Sequence, residues 1–585
     1  MANTLPLGVY QIPDAAGKRR HWGNLDQAAL SLAVADAIRV EDGFTMVVVR
    51  DTQTAESVSH ELQFFLPESM PVMLFPDWET LIYDSFSPHQ DIVSDRLAIL
   101  NELPLQKKGV LVVPATTLMQ KLAPRSFTLG SSFVLDKGQR FDIEVMRKKL
   151  TASAYRCVDT VFEHGEFAVR GSIMDIFPMG VDHPFRLDLF DDEIESIRVF
   201  DPETQRSIEH VESIRLLSAR EFPLTDDAIN RFQDRWHQHF QGNPRNCQVY
   251  QDVSQGLSPP GIEYYLPLFF DELETLFDYL PDDTLVLTAE IDDAVTDSWQ
   301  SAESRYENLR YDIQRPIVAP SEFLLPLDEI FSGCNLRRRV SLKSTEGKGD
   351  NFPFAPLPEL TVNDRLQNPL TSLTNFLSAG SARLVIVAES NGRREVVDEL
   401  LRRHHIEPEH QDSWTATLSS DARIVVTVSP LERGFYLPGS MLFITEQQLF
   451  GEHVLQKRRR AKQKDNVAEL VIKSLTELNI GSPVVHIDHG VGRYLGLETL
   501  HIDGQETEFL ALGYDDEAKL YVPVSSLHLI SRYAGSDETT APLHRLGSEV
   551  WEKAKRKAAE QVRDVAAELL NIYARREAKS GFAFP

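Results

Sequence analysis

The residues nearest to nucleotide chemistry in this sequence are Glu346-Gly347-Lys348-Gly349. A phosphate-cradling loop needs a second glycine at fixed spacing ahead of the Gly-Lys pair. It also needs a hydroxyl after the lysine to hold magnesium. Both are missing, so the segment reads as a loop and the chain is not expected to hydrolyse ATP. His486-Ile487-Asp488-His489 brings two imidazoles close in sequence. A metal site needs more converging ligands, and none clusters nearby. Strand alternation would send His486 and His489 to opposite faces, so a structural role is expected. His404-His405 lies near a helix end before Pro408 and suits a surface or capping role. Cys157, Cys247 and Cys334 are scattered with no Cys-x-x-Cys pair, which excludes a disulfide framework or a cysteine zinc site. No Ser-His-Asp set or paired carboxylates can be argued from spacing, and Asp191-Asp192 reads as a solvated acidic pair. No catalytic, cofactor-binding or metal-ligating residue is assigned.

Two segments look instead like binding surfaces. In Phe185-Arg186-Leu187-Asp188-Leu189-Phe190, period-two alternation sends Leu187 and Leu189 one way. Arg186, Asp188 and Phe190 face the other. A phenylalanine on a charged strand face is either an interface anchor beside an arginine or a residue packed under a neighbouring loop. In Glu166-Phe167-Ala168-Val169-Arg170, Phe167 and Val169 are the core face and Arg170 points outward. The second segment is Leu495 to Ile502. Leu495, Leu497 and Thr499 share one face; Glu498, Leu500 and Ile502 share the other. With apolar groups on both faces, one face fills a core. The other is an exposed surface suited to partner docking, is covered by another domain, or closes a simple barrel. The basic run Lys457 to Lys464 lacks aromatic residues and reads as a solvated tether rather than a nucleic-acid contact. Arg337-Arg338-Arg339 reads as surface charge ahead of a strand at Val340-Ser341-Leu342.

The elements that must carry these residues are legible in outline. The chain has 585 residues, which suggests about four domains. It is 42% hydrophobic and 25% charged, ordinary for globular chains. With 60 Lys+Arg against 88 Asp+Glu, the net charge of -28 disfavours a broad nucleic-acid-coating role. No apolar run reaches the length of about 18 residues that a membrane helix needs. A reducing, cytoplasmic setting is expected. Thr45–Val49 and Gly109–Pro114 read as buried strands, with a helix over Gln27–Val40 before them. Alternating strands and helices imply a mostly parallel sheet. From about Phe133 short alternating segments suggest a β-rich insertion. A strand at Thr284–Leu287 returns to the first texture. A second α/β unit follows with strands at Leu384–Val387, Ile424–Val428 and Met441–Ile444. Ile480–Arg532 is β-rich, with a hairpin signal at Asp503-Gly504. Ser548 caps a final helix whose apolar spacing runs from Trp551 to Ile572.

Four stretches carry a resemblance. They are Asp77-Trp78-Glu79-Thr80-Leu81 through Tyr83-Asp84-Ser85-Phe86-Ser87-Pro88-His89 to Ser94-Asp95-Arg96-Leu97; Glu163-His164-Gly165-Glu166-Phe167, Arg170-Gly171 and Asp175-Ile176-Phe177-Pro178 on to Arg186 and Phe190-Asp191-Asp192-Glu193; Gly481 through Val484-Val485-His486 to His489-Gly490-Val491-Gly492-Arg493-Tyr494; and Lys519-Leu520-Tyr521-Val522-Pro523-Val524. Together they resemble the N-terminal half of the bacterial transcription-repair coupling factors. The first two are also similar to the excision-repair protein UvrB, and the last two to the polymerase-binding module of CarD-type regulators. The resemblance implies a multidomain α/β and β fold. A UvrB-like α/β domain would span 1–131 and 206–350, with a β-rich UvrA-binding insertion at 132–205. An α/β domain would follow at 351–453, a basic linker at 454–471 and a Tudor- or SH3-like polymerase-binding barrel at 472–546. The helix at 547–585 would lead to a motor.

Site residues follow at the matching positions. Arg170, Arg186 and Phe190 would bind UvrA. Leu500, with Ile502 and Glu498 on its face, would bind the β subunit of RNA polymerase. The implied role is transcription-coupled nucleotide excision repair, as a scaffold without cofactors of its own. ATP, magnesium and most DNA contact would belong to the family's translocase motor, expected to begin where this chain stops. The family's masking C-terminal domain would also be missing, leaving the UvrA surface open. The rival functions are a UvrB-type DNA helicase and a CarD-like regulator using only the polymerase module.

Overall fold

Phe44–Val49 and Gly109–Pro114 are buried along their whole length, as strands covered on both faces of a parallel sheet must be. The computed structural model containing them describes residues 7, 10–450 apart from 27, 42, 203, 363–368 and 381, and 481–486, 489–502, 505–515, 518–523, 530–532 and 543. The chain divides into two compact units, the first of Met1–Trp78 with Ile82–Gly451 and the second of Glu79–Leu81 with Glu452–Pro585.

In the first unit, strands β1 (Arg19–Gly23), β2 (Phe44–Val49), β3 (Val72–Leu74) and β4 (Gly109–Pro114) precede a long excursion. Within that excursion lie β5 (Phe133–Asp136), β6 (Arg156–Cys157), β7 (Glu166–Arg170), β8 (Ile173–Phe177), β9 (Phe185–Phe190), β10 (Glu193–Phe200), β11 (Ser207–Val211) and β12 (Ser213–Leu216). The chain then returns as β13 (Leu285–Ala289), β14 (Arg338–Leu342) and β15 (Asp350–Asn351). The first and last groups form one seven-stranded sheet in the order β15-β1-β14-β13-β2-β4-β3. All its pairings are parallel. Alternation along β2 splits the core in two: Phe44, Met46 and Val48 join one cluster, Val47 and Val49 the other. Helices α1 (Ala28–Val40) and α2 (Thr52–Phe65) cover the second face. Asp51 starts α2 by accepting the Thr54 N–H at 2.8 Å, the ordinary chemistry of a helix N-cap.

The excursion folds as the expected β-rich insertion. Its six-stranded sheet runs β11-β10-β9-β8-β7-β6, with β5 and β12 paired separately. Phe167, Met174, Ile176, Leu187, Leu189, Ile194 and Ile197 fill its core. Val93 and Leu97 from α3 (Gln90–Glu102) complete that core, seating the insertion on the α/β body. The second α/β region supplies β16 (Arg383–Ala388), β17 (Glu409–Gln411), β18 (Ile424–Val428), β19 (Phe435–Leu437) and β20 (Met441–Thr445), ordered β17-β18-β16-β20-β19. Its Val385, Val387, Val425 and Phe443 share a core with α2, where Trp414 meets Phe65 edge-on at 4.9 Å. Leu384, Ile386, Val426, Leu442 and Ile444 fill its other face.

Glu346–Gly349 lies in a loop, as expected. The arginine run does not stay on the surface. β14 begins at Arg338, between β1 and β13, two residues before the expected strand. Arg339 is buried and donates to Thr288 Oγ1 and to Asn335 Oδ1 at 3.1 Å. Arg338 Nη1 lies 3.0 Å from both oxygens of Glu41. Interior polar partners replace the water that the sequence reading assumed.

The second unit holds β21 (Pro483–His486), β22 (Gly490–Ile502), β23 (Gln505–Gly513), β24 (Lys519–Pro523) and β25 (Ile530–Arg532). They form an antiparallel sheet ordered β24-β23-β22-β21-β25. That order is open: among the described residues no pairing joins β24 to β25, so the expected closed barrel is not seen. Ile502 pairs with Gln505, as a two-residue Asp-Gly hairpin requires. Residues 503–504, the linker 454–471 and the final helix at 547–585 lie outside the described residues. So does the basic run within that linker. Among the described residues, no helix is long and apolar enough to cross a membrane.

Candidate functional site

The charged face begins with the register of four strands. Asp175 on β8 stands opposite Ala168 on β7 and Arg186 on β9. Arg186 stands opposite Arg198 on β10, and Phe190 opposite Glu193. The alternation read along β9 holds. Leu187 and Leu189 are buried, Arg186 and Asp188 are half-buried, and Phe190 is 72% exposed. Packing of Phe190 under a loop is therefore excluded. Phe190 ends β9 beside Asp191, whose φ of 57° turns the chain into β10.

A single buried carboxylate joins the two arginines. Asp175 is 1% exposed. Arg186 grips it with both ends of its fork, Nε to Oδ1 at 2.7 Å and Nη2 to Oδ2 at 2.9 Å. Arg170 Nη2 donates to the same Oδ2. Arg186 Nη1 also donates to the Gln205 carbonyl at 3.3 Å, and its guanidinium lies 4.7 Å from the Phe200 ring centroid. The Asp175 bond raises the Arg186 pKa above its ordinary value, against the opposing effect of burial. A planar fork on a carboxylate is a strong, directional pair. Further along the face, Arg198 and Ser196 both donate to Asp188 Oδ2, the serine at 2.7 Å. Arg170, Arg186 and Phe190 thus share the outward face of one sheet, as the sequence suggested. Asp175 was not singled out as a site residue. Its signal was present: one acid inside the apolar strand Ile173-Met174-Asp175-Ile176-Phe177, a position that demands a buried partner.

The second surface departs from simple alternation. A bulge between Tyr494 and Gly496 shifts the register of β22. Tyr494 and Leu497 consequently both pack toward the core, opposite Leu512 and Leu510. Leu495 turns outward and is 40% exposed. Leu495 and Leu497 therefore do not share a face, because the extra residue reverses the side-chain phase. Glu498 accepts from Lys519 Nζ at 3.0 Å and Tyr521 Oη at 2.9 Å. Leu500 pairs with Thr507 and Ile502 with Gln505 along the same ladder; their side chains lie outside the described residues. His486 and His489 are not sent apart. They end β21 and precede β22 across a turn, and their ring centroids lie 4.7 Å from each other. Strand alternation does not apply across a chain reversal. Among the described residues no group of three or more His, Cys, Asp or Glu is arranged to hold a metal.

Comparison with known proteins matches each region. Residues 133–222 match the UvrB interaction domain, 376–449 the MFD D3 domain and 478–534 the CarD-like/TRCF RID domain. The chain is 45% identical over 582 residues to the transcription-repair-coupling factor of Escherichia coli strain K12, covering 98% of this chain and 50% of that protein. It is 43% identical to the Haemophilus influenzae protein of the same name, with the same coverage. Identity to the Bacillus subtilis protein is 28%, over 92% of this chain and 47% of that protein. The chain spans about half the length of the curated relatives it matches. Three matched domains and an alignment over 582 residues make the chain similar to about half the length of the transcription-repair-coupling factors.

Proposed function

We propose that this chain is the docking scaffold of transcription-coupled nucleotide excision repair, with one surface for UvrA and another for RNA polymerase. The observation that carries the reading is the Arg170–Asp175–Arg186 cluster ending in exposed Phe190. It lies within the region matched to the UvrB interaction domain. Its arginines offer charge-assisted donors and its phenylalanine an apolar anchor, the composition of an interface centre. The second unit, matched to the CarD-like/TRCF RID domain, would dock on the polymerase β subunit through Leu500, Ile502 and Glu498. The chain's own part is binding in the cytoplasm; no residue of it is assigned to catalysis, a cofactor or a metal. A UvrB-type helicase is disfavoured by the lack of a phosphate loop. An ATPase assay with single- and double-stranded DNA should accordingly give background turnover.

The test of the scaffold is retention of purified UvrA on the immobilised chain. The wild type should hold UvrA, and Arg186→Ala should lose most of it. No retention by the wild type would overturn the reading.

A further inference from the structure

We infer that Asp175 is the positioning residue of this face: one buried carboxylate sets the pose of both UvrA-facing arginines. The inference rests on the docking reading above. Asp175 lies on the middle strand of the three, between β7 and β9. Its neighbours Met174 and Ile176 enter the main core of the insertion, so alternation turns Asp175 to the opposite side. On that side Ala168, Phe177, Phe200 and Val161 form a small apolar cluster. A carboxylate buried there requires charged partners, and both of its oxygens are taken by Arg170 and Arg186.

The pairing fixes two long side chains before any partner arrives. Ordering a free arginine at an interface costs rotamer entropy at the moment of binding; here that ordering belongs to folding. The two arginines keep different amounts of contact surface. Side-chain exposure is 49% for Arg170 and 17% for Arg186. Two guanidiniums against one carboxylate leave a net positive charge on the cluster, while the neighbouring Arg198–Asp188 pair is balanced. Asp175 therefore opposes the charge of the face while holding its geometry, and those two effects can be separated.

The experiment titrates the full chain with UvrA at low and high salt, with thermal unfolding alongside. The variants are Asp175→Asn, the Arg170→Ala/Arg186→Ala pair, all three together, and Arg186→Ala alone. A positioning role predicts that Asp175→Asn weakens UvrA binding by about tenfold or more at both salt concentrations. It predicts no further weakening when Asp175→Asn is added to the arginine pair. Equal weakening with and without the arginines would mean that Asp175 acts on the scaffold, and would overturn the inference. Unchanged binding by Asp175→Asn with binding lost in Arg186→Ala would overturn the inference and leave the docking reading standing. Unchanged binding in both would overturn both. If Asp175→Asn does not fold, Arg186→Lys decides. It keeps the charge and removes the two-pronged grip on Asp175. Weakened binding supports the positioning role, and wild-type binding overturns it.

Discussion

Glu166 Oε2 accepts the backbone N–H of Phe162 at 2.9 Å, tying the first residue of β7 to the loop ahead of it. The same oxygen takes the Glu163 N–H at 3.0 Å, and Oε1 takes Arg156 Nη2 at 2.5 Å. The loop held this way buries Val161 against Ala168, Phe177 and Phe200, closing one end of the arginine face. Burial pushes the Glu166 carboxyl up, but the two backbone donors and Arg156 outweigh it and hold it below its ordinary value. The unfolded state then binds the proton more tightly than the native state. Glu166 stabilises the fold above the unfolded carboxylate pKa of about 4.3, and that stability is lost as pH falls through the lower native value. Glu166→Gln should cost about 1–3 kcal/mol in urea unfolding at pH 7. The gap to wild type should narrow at acid pH, where both side chains are neutral.

Glu61 and Glu263 carry the opposite sign. Each is buried and accepts from a serine hydroxyl, Glu61 from Ser31 at 2.5 Å and Glu263 from Ser87 at 2.8 Å. Burial pushes both up to about 7. Here the native state holds the proton more tightly, so their contribution is fully present below the unfolded pKa and declines as pH rises toward 7. Glu61→Gln and Glu263→Gln keep the neutral form at every pH. Each should flatten the loss of stability between about pH 4.3 and 7, read from denaturation midpoints across that window. A wild-type slope in both variants would refute the assignment.

Phe190 separates binding from stability. It stands 72% exposed at the end of β9, so truncating it removes little from the fold. Phe190→Ala should leave the unfolding free energy within about 0.5 kcal/mol of wild type. An anchor at the centre of an interface typically accounts for about 2 kcal/mol or more. UvrA affinity should therefore fall by more than tenfold in calorimetry. Equal affinity would remove Phe190 from the docking face.

What the sequence made legible was what local period controls. Ile424–Val428 and Gly109–Pro114 form strands over the residues read, because a β-branched run buried on both sides admits little else. The outward face of Arg186 and Phe190 followed from period two alone. What stayed hidden depends on partners distant in sequence. Asp175 meets Arg170 and Arg186 only through the register of three strands. Arg339 is buried because β13 brings Thr288 alongside it. The phase reversal in β22 comes from a bulge beside Gly496, whose φ of 125° marks it. A lone glycine inside a strand pattern was the available signal.

The proposed polymerase surface gives the last prediction. Glu498 is tied to Lys519 and Tyr521 across the sheet, and these bonds hold its carboxyl below the ordinary value. Leu500 follows two residues later on β22, paired with Thr507. If the contact there is apolar, Leu500→Arg forces a charge into a desolvated interface and should weaken binding by about a hundredfold or more. The titration uses the N-terminal region of the polymerase β subunit, with circular dichroism to establish that the variant stays folded. Glu498→Gln removes the charge and one of the two acceptor oxygens that hold Lys519 and Tyr521, leaving position 500 intact, so it should weaken binding less than Leu500→Arg. Loss in Leu500→Arg with near-normal binding in Glu498→Gln assigns the contact to the apolar residue. Equal loss in both assigns it to the polar network instead. A wild type that does not bind would confine the chain's docking role to UvrA.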